Sequence, residues 1–116
     1  MELIIGGAYQ GKLSWAVAHY GLREDEICDL AADTPIPGKR CYCHLEALTK
    51  RDPDCASYLP LFCDAIVIAR EIGSGVVPLD ADARAWRERH GSLLRRLAAD
   101  ADRVTRIFCG LPEVLK

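Results

Sequence analysis

The chain has 116 residues, of which half are hydrophobic and 28% are charged, and its net charge is −2. This length is typical of one domain, and the composition excludes the disordered and fibrous classes of protein. The nearly neutral charge argues against general binding to nucleic acid or to a membrane surface. The apolar run at residues 3–5 is too short for a signal peptide or a membrane span. We therefore expect a cytoplasmic protein with a single domain over residues 1–116.

The first residues of the chain have the pattern of a phosphate-binding loop. An apolar strand over residues 2–5 precedes a glycine-rich turn, and Gly11 or Lys12 opens a helix that runs to about Tyr20. Glycines let the backbone wrap closely around phosphates, the helix N-terminus supplies partial positive charge, and Lys12 adds a full charge. We predict that a nucleotide is bound by nine consecutive residues, which are Gly6, Gly7, Ala8, Tyr9, Gln10, Gly11, Lys12, Leu13 and Ser14.

A second candidate site residue follows the most hydrophobic strand of the chain. Residues 64–70 are apolar on both faces, as in an interior parallel strand, and Glu71 comes directly after them. Phosphate-loop proteins carry a Mg²⁺-facing or water-orienting carboxylate at this point. We predict Lys12 and Glu71 as catalytic residues, with Glu71 also the candidate metal ligand. Leu13 stands where such a loop has the Ser or Thr that helps to bind Mg²⁺, and one helical step turns Ser14 about 100° away from that position.

The remaining elements alternate between strands and helices. Strands are predicted at 26–30, 40–44 and 103–110, and helices at 45–50, from Pro53 onward, and from about Ala81 to Asp100; residues 111–116 are predicted to be a tail. Helical crossovers predict an α/β fold with a mostly parallel sheet of about five strands flanked by helices. Ligands of such sheets lie at the C-terminal ends of the strands. That edge should gather the phosphate loop with residues 29–33, 43–44, 70–80 and 110–116.

Six cysteines leave the question of a metal site open. They contain no CxxC pair and mostly lie in or beside apolar runs, so we expect reduced cysteines in the core. The alternative is a metal site made of Cys41, Cys43 and His44. His44 could also be a general base or a replacement nucleophile, or simply a packed histidine that donates to the backbone. His90 lies on the apolar face of the long helix, where we expect a core or interface histidine.

Three motifs, in this order, resemble the adenosylcobinamide kinase/adenosylcobinamide-phosphate guanylyltransferase family. They are residues 6–12, the segment Glu71-Ile72-Gly73-Ser74-Gly75-Val76-Val77-Pro78, and Gly110-Leu111-Pro112 with the final Leu115-Lys116. The resemblance covers the first 20 residues and nearly everything after residue 64. It implies a P-loop NTPase fold of the RecA-like kind, a cytoplasmic homo-oligomer, and ATP or GTP with Mg²⁺ as cofactors. It also implies a corrinoid precursor that receives a phosphoryl group and then GMP, the latter through a guanylylated histidine.

Parts of the chain differ from the pattern of this family. Tyr9 and Gln10 stand where Arg and Ser are usual, Leu13 replaces Ser, and only the loop of residues 31–38 stands in place of the region with the guanylylated histidine. Two functions therefore stay open. One is a nucleotide-dependent kinase or nucleotidyltransferase. Of its two reactions, phosphoryl transfer depends less than guanylyl transfer on the residues that this chain lacks. The other is a nucleotide- or corrinoid-binding module or regulatory subunit that has lost catalysis.

Overall fold

The fold is built on one six-stranded sheet, seen in a computed structural model that describes residues 1–72 and 79–116. Its strands are β1 (Glu2–Gly6), β2 (Ile27–Asp29), β3 (Cys41–Cys43), β4 (Ile66–Arg70), β5 (Arg103–Phe108) and β6 (Leu111–Val114). Their order across the sheet is β2-β3-β4-β1-β5-β6, and all neighbours are parallel except β5 and β6. The expectation of a mostly parallel α/β sheet is confirmed, with one strand more than expected.

In the described ranges 1–72 and 79–116, four α-helices flank the sheet, and their ends follow local signals in the sequence. They are α1 (Lys12–Tyr20), α2 (Leu45–Arg51), α3 (Leu59–Phe62) and α4 (Ala81–Asp100). Helix α1 ends at Gly21, which has a left-handed backbone with φ of 62°. Helix α4 begins after Asp80, whose carboxylate accepts hydrogen bonds from the amides of Asp82 and Ala83. The predicted bounds of α1 and α4 are confirmed. None of the helices in the described residues has the length and apolar character to cross a bilayer.

The prediction of a single helix from Pro53 onward was wrong. The chain instead forms a short 3₁₀ helix at Cys55–Tyr58 and then α3, in which Pro60 lies in the first turn. A proline lacks the amide that a helix interior needs, so it fits only near a helix start. Cys55 and Phe62, one on each of these two short helices, are buried.

Side chains of the central strands alternate between the two faces of the sheet and contribute to a separate hydrophobic core on each face. Leu3 and Val67 belong to a cluster that contains buried residues of α2, α3 and α4, whereas Ile4 and Ile68 belong to a cluster with α1. Successive residues of a strand point to opposite faces, so a strand in mid-sheet needs apolar residues at every position. Helix α1 therefore covers one face and the other three helices cover the opposite face.

The prediction of a C-terminal tail at residues 111–116 was also wrong, since residues 111–114 form the antiparallel edge strand β6. Cys109 and Gly110 both have positive φ, at 51° and 74°, between the paired residues Phe108 and Leu111. Two such residues make the tight turn of a β-hairpin. The turn stays at the C-terminal edge of β5, and the strand after it runs back along the sheet, so residues 111–116 are not gathered at the ligand edge as predicted.

Candidate functional site

The glycine-rich loop lies between β1, in the middle of the sheet, and the first turn of α1. Gly11 precedes the helix with a left-handed φ of 85°, and the amide of Trp15 donates to its carbonyl at 2.9 Å. A Cβ atom on Gly6 would lie 2.6 Å from the carbonyl oxygen of Ile107 on the neighbouring strand β5. Glycine is therefore required at position 6 by packing and favoured at position 11 by backbone conformation.

Gln10 holds the loop against the hairpin turn between β5 and β6. Its side-chain Oε1 accepts a hydrogen bond from the Cys109 amide at 2.6 Å, and its carbonyl accepts one from the Gly110 amide at 2.9 Å. Gln10 thus connects the loop to the turn between β5 and β6 by two hydrogen bonds, a role that its sequence position did not indicate.

Lys12 folds back over the loop that precedes it. Its Nζ donates to the carbonyl of Gly7 at 2.7 Å, and its side chain is partly buried. Burial lowers the pKa of the Lys12 ammonium, and the nearby carboxylate of Glu46 opposes that shift. Within the described residues, no carboxylate comes within ion-pair distance of Nζ. The arrangement leaves a partly desolvated cation beside an open space.

That space is a cleft of about 360 Å³ at the C-terminal ends of β1, β3 and β4. It is lined by Ala8, Tyr9, Gln10, Gly11, Lys12, Leu13, Ser14, Cys43, His44, Glu46, Ile68 and Arg70. Seven of the nine residues predicted to bind a nucleotide are therefore brought together here, while Gly6 and Gly7 are not among the lining residues. Ser14 borders the cleft as well as Leu13, because the cleft extends over the whole first turn of α1.

Two lining residues were missed as site residues by the sequence analysis. Glu46, in the first turn of α2, accepts a hydrogen bond from the Arg70 amide at 2.8 Å through Oε1. Arg70, the last residue of β4, adds a second cation to the cleft. The available signal for Glu46 was its place two residues after His44, directly beyond a strand that ends at the ligand edge.

Glu71 lies next to the loop and turns toward β5. Its amide donates to the Gly6 carbonyl at 3.0 Å, but its carboxylate lies 3.8 Å from Nε of Arg106. It is not among the residues that line the cleft, so its catalytic and metal-binding roles stay predictions. The motif that follows it, residues 73–78, lies outside the described residues.

Leu13 gives the first turn of α1 an apolar residue where a magnesium-binding hydroxyl was expected. It packs against the core cluster that includes Ile4, Ala16 and Ile68. Among residues 12–20 of α1, Ser14 is the residue that brings a hydroxyl to the cleft. The residue type at position 13 therefore does not fit direct coordination of Mg²⁺.

His44 is half-exposed at the rim of the cleft, so the expectation of a packed histidine that donates to the backbone was wrong. Its Nδ1 lies 2.7 Å from Oδ1 of Asp29 and 3.5 Å from Sγ of Cys43. Cys41, the other cysteine of the predicted metal site, is buried, and burial raises the pKa of its thiol to about 12. The structure thus groups His44 and Cys43 with Asp29 rather than with Cys41.

The other cysteines follow the prediction only in part. Cys28, Cys41, Cys43 and Cys55 are buried free cysteines. Cys63 and Cys109 were expected in the core but are exposed, because Cys63 follows the last residue of α3 and Cys109 lies in the hairpin turn.

His90 is fully buried in α4, as its apolar surroundings in the sequence predicted. Its Nε2 donates to the carbonyl of Arg70 at 2.7 Å, and its Nδ1 lies 2.9 Å from the hydroxyl of Thr49 in α2. Trp86 adds a hydrogen bond from its indole nitrogen to the same hydroxyl at 3.0 Å. These contacts fix α4 against α2 and the end of β4, and thereby hold one wall of the cleft.

Comparison with known proteins gives one match at the level of families. The family described as cobinamide kinase / cobinamide phosphate guanyltransferase matches residues 46–115, which is more than half of the chain. The matched region includes Glu46, Arg70 and Glu71 but not the loop of residues 6–14. No curated protein matches the chain.

Proposed function

We propose that this chain, which belongs to the cobinamide kinase / cobinamide phosphate guanyltransferase family, binds the phosphates of ATP or GTP in the cleft beside Lys12. Membership places the chain in a family of nucleotide-related function in cobalamin biosynthesis. The proposed site extends this to a P-loop of the RecA-like kind, formed by residues 6–14 ahead of the matched region.

The observation that carries the proposal is the state of Lys12. A partly buried ammonium costs free energy unless an anion or several hydrogen-bond acceptors compensate it. Lys12 has the Gly7 carbonyl at 2.7 Å, and Arg70 lines the same cleft, so two positive side chains face one space. A phosphate chain would neutralise both, and the left-handed Gly11 leaves the backbone at the start of α1 without a side chain to obstruct it.

The reaction that fits this site best is phosphoryl transfer to a hydroxyl of a corrinoid precursor. The hydroxyl oxygen forms a bond to the γ-phosphorus, the bond from that phosphorus to the β,γ-bridging oxygen breaks, and ADP or GDP leaves. The proton of the hydroxyl passes to a base or to water. Lys12 and Arg70 would stabilise the charge on the transferring group. Mg²⁺ would arrive with the nucleotide, and Glu71 is the carboxylate beside the loop that could hold it.

A binding module without catalysis is the second candidate, and Leu13 favours it. The apolar side chain at position 13 removes a metal ligand while it leaves the glycines and Lys12 in place. Such a chain would still bind a nucleotide or a corrinoid, as a regulator or as a subunit of an enzyme.

Incubation of the purified chain with labelled ATP or GTP and adenosylcobinamide, with and without Mg²⁺, distinguishes the two candidates. A labelled corrinoid product supports the transferase. Saturable binding of nucleotide without product supports the module. If the chain neither binds nucleotide nor forms product, the transferase and the nucleotide-binding module are both wrong.

Lys12→Ala should weaken nucleotide binding by about 10- to 100-fold, because a charged hydrogen bond to phosphate contributes about 1.5–3 kcal/mol. Isothermal titration calorimetry measures the change. Lys39→Ala is the matched control, since Lys39 donates to the Asp25 carbonyl outside the cleft. Equal affinity of Lys12→Ala and wild type would remove the phosphate-loop proposal.

Glu71→Gln should lower the rate of product formation and leave nucleotide affinity within about threefold, because its carboxylate is expected to act on Mg²⁺ or on the attacking hydroxyl. Steady-state rates and titrations with the same labelled nucleotide separate the two effects. Glu113→Gln, on the exposed edge strand β6, is the control. An unchanged rate would assign Glu71 to its ion pair with Arg106 alone.

A further inference from the structure

Three side chains with metal-binding atoms meet where β2 and β3 end. Asp29 and Cys43 are paired in register as the last residues of these parallel strands, and His44 follows Cys43. Their ligand atoms all lie within 4.8 Å of one another. Parallel strands in register carry their final side chains to the same edge of the sheet, so the grouping is a direct product of the topology.

We propose that Asp29, Cys43 and His44 form a Zn²⁺ site at the rim of the cleft. The proposal does not depend on nucleotide binding, because its test uses the metal alone. The sequence indicated Cys41, Cys43 and His44 as possible ligands. In the proposed site, Asp29 takes the place of Cys41.

Two of the three distances between ligand atoms can be compared directly with those around a tetrahedral ion, and the third, from Sγ of Cys43 to the Asp29 carboxylate, is at most 4.8 Å and would close as the exposed carboxylate turns toward the ion. Zn²⁺ bound to nitrogen, oxygen and sulfur places its ligand atoms about 3.3–3.6 Å apart, given the usual bond lengths. Sγ of Cys43 already lies 3.5 Å from Nδ1 of His44. The 2.7 Å separation between Nδ1 of His44 and Oδ1 of Asp29 would need to open by about 0.6–0.7 Å. Both of these side chains are about half-exposed and can make that adjustment.

The chemistry of the donor set selects the ion. One thiolate, one imidazole and one carboxylate are the three ligand types that Zn²⁺ takes, whereas Mg²⁺ avoids sulfur. The set would carry two negative charges when bound, which match a divalent cation. Asp29 is also held in place by the Ala31 amide, which donates to the same Oδ1 at 2.9 Å. A hydrogen bond of this kind orients a metal-binding carboxylate.

The site would have a fourth position that opens on the cleft. Cys43 and His44 line the cleft, together with Lys12 and Glu46. Three protein ligands with an open position are typical of catalytic rather than structural zinc sites. A ligand in the cleft could therefore reach the ion directly.

Binding should displace a proton from Cys43. An unligated thiol is protonated at neutral pH and must lose its proton to coordinate, because the thiolate is the form that binds a metal. The affinity for Zn²⁺ should thus rise with pH. A weakly buffered titration should release about one proton per ion bound.

The test is titration with Zn²⁺ alone and with Co²⁺, in a chain that carries Cys63→Ser and Cys109→Ser to remove the two exposed thiols. We expect one ion per chain and, with Co²⁺, a thiolate-to-metal absorption band. Asp29→Asn, Cys43→Ser and His44→Gln should each lower the affinity by at least about tenfold. Cys41→Ser is the matched control on the same strand and should leave the affinity unchanged.

Circular dichroism melts show whether each variant folds. Asp29→Asn and His44→Gln change half-exposed side chains, so they keep the test valid if Cys43→Ser fails to fold. The proposal is overturned if the chain binds no stoichiometric Zn²⁺, if Asp29→Asn and His44→Gln both retain wild-type affinity, or if the Co²⁺ form lacks the thiolate band.

Discussion

Gly6 lies in close contact with the neighbouring strand β5. Gly6→Ala should lower the free energy of unfolding by about 1–3 kcal/mol, because its Cβ would lie 2.6 Å from a backbone oxygen of β5 that cannot rotate away. Gly7→Ala is the control, since the nearest heavy atom to its Cβ would be a side-chain carbon of Gln10 at 3.8 Å. Urea denaturation measures both variants. Equal losses would show that the close contact is not what requires glycine at position 6.

For single residues, the sequence predicts which positions need a glycine more reliably than it predicts which side chains contact each other. The glycines and Lys12 could be placed at the cleft because a phosphate loop has a fixed order of residue types. Residue 70 could be placed at the same edge, but Glu46 could not, because its contact with Arg70 joins residues 24 positions apart and depends on how α2 packs beside β4. The exposure of Cys109 likewise depends on a turn that an apolar strand pattern does not reveal.

Helix α4 depends on one buried histidine for its contact with the end of β4. His90→Leu should lower the free energy of unfolding by about 1–3 kcal/mol, since it leaves the Arg70 carbonyl without its hydrogen bond from Nε2. His19→Leu is the control, because His19 is exposed on α1 and should change stability by less than about 0.5 kcal/mol. If the two variants unfold at the same urea concentration, the hydrogen bond contributes nothing to stability.

The same histidine should make the fold sensitive to acid. Burial lowers the pKa of His90 below its ordinary value of 6.5, so the folded chain keeps it neutral while the unfolded chain takes up a proton. Stability should therefore be fully present above pH 6.5 and fall as the pH decreases below that value. Urea titrations at about pH 7.5 and about pH 5.5 measure the difference. We expect His90→Leu to reduce this pH dependence, and an unchanged dependence would contradict the assignment.

At the scale of elements, strong local signals predicted α1 and α4 to within a residue. Asp80 and Gly21 are capping residues whose preference is local, so neighbours in space do not alter it. Strand β6 was missed because Leu111-Pro112-Glu113-Val114 has no clear alternation, and its pairing with β5 arises from the turn before it. The hydrophobic pattern along an exposed edge strand is weaker than that along a buried strand.

The whole molecule exposes apolar side chains at one edge of its sheet, which supports the prediction of a homo-oligomer. Phe108, Leu111, Val114 and Leu115 are each more than half exposed, and β6 is the last strand of the sheet. An edge strand of this kind can pair with another copy of the chain. We expect light scattering after size-exclusion chromatography to show more than one copy. Leu111→Glu should shift the chain toward monomer, and Leu79→Glu, which changes an exposed leucine outside β6, should not.

The parallel sheet and its ligand edge could be predicted from the order of elements alone. Crossovers between parallel strands have one hand, and this rule limits the possible arrangements enough to place β1 and β4 at the cleft. The sequence placed residues 29–33 and 43–44 at that same edge, but the direct contact of Asp29 with His44 could not be predicted, because it depends on the register of β2 against β3. A one-residue shift in that register would separate their side chains.

The two hydrogen bonds of Gln10 have a consequence for how the chain is made. The Cys109 amide that binds its side chain lies 99 positions further along the chain. Gly6, too, packs against Ile107. A chain emerging from the ribosome completes its first strand and helix early, yet the loop between them lacks these supports until β5 and its turn have been synthesised. The proposed binding of nucleotide should therefore begin only after β5 and the turn that follows it have been synthesised, rather than when the loop itself appears.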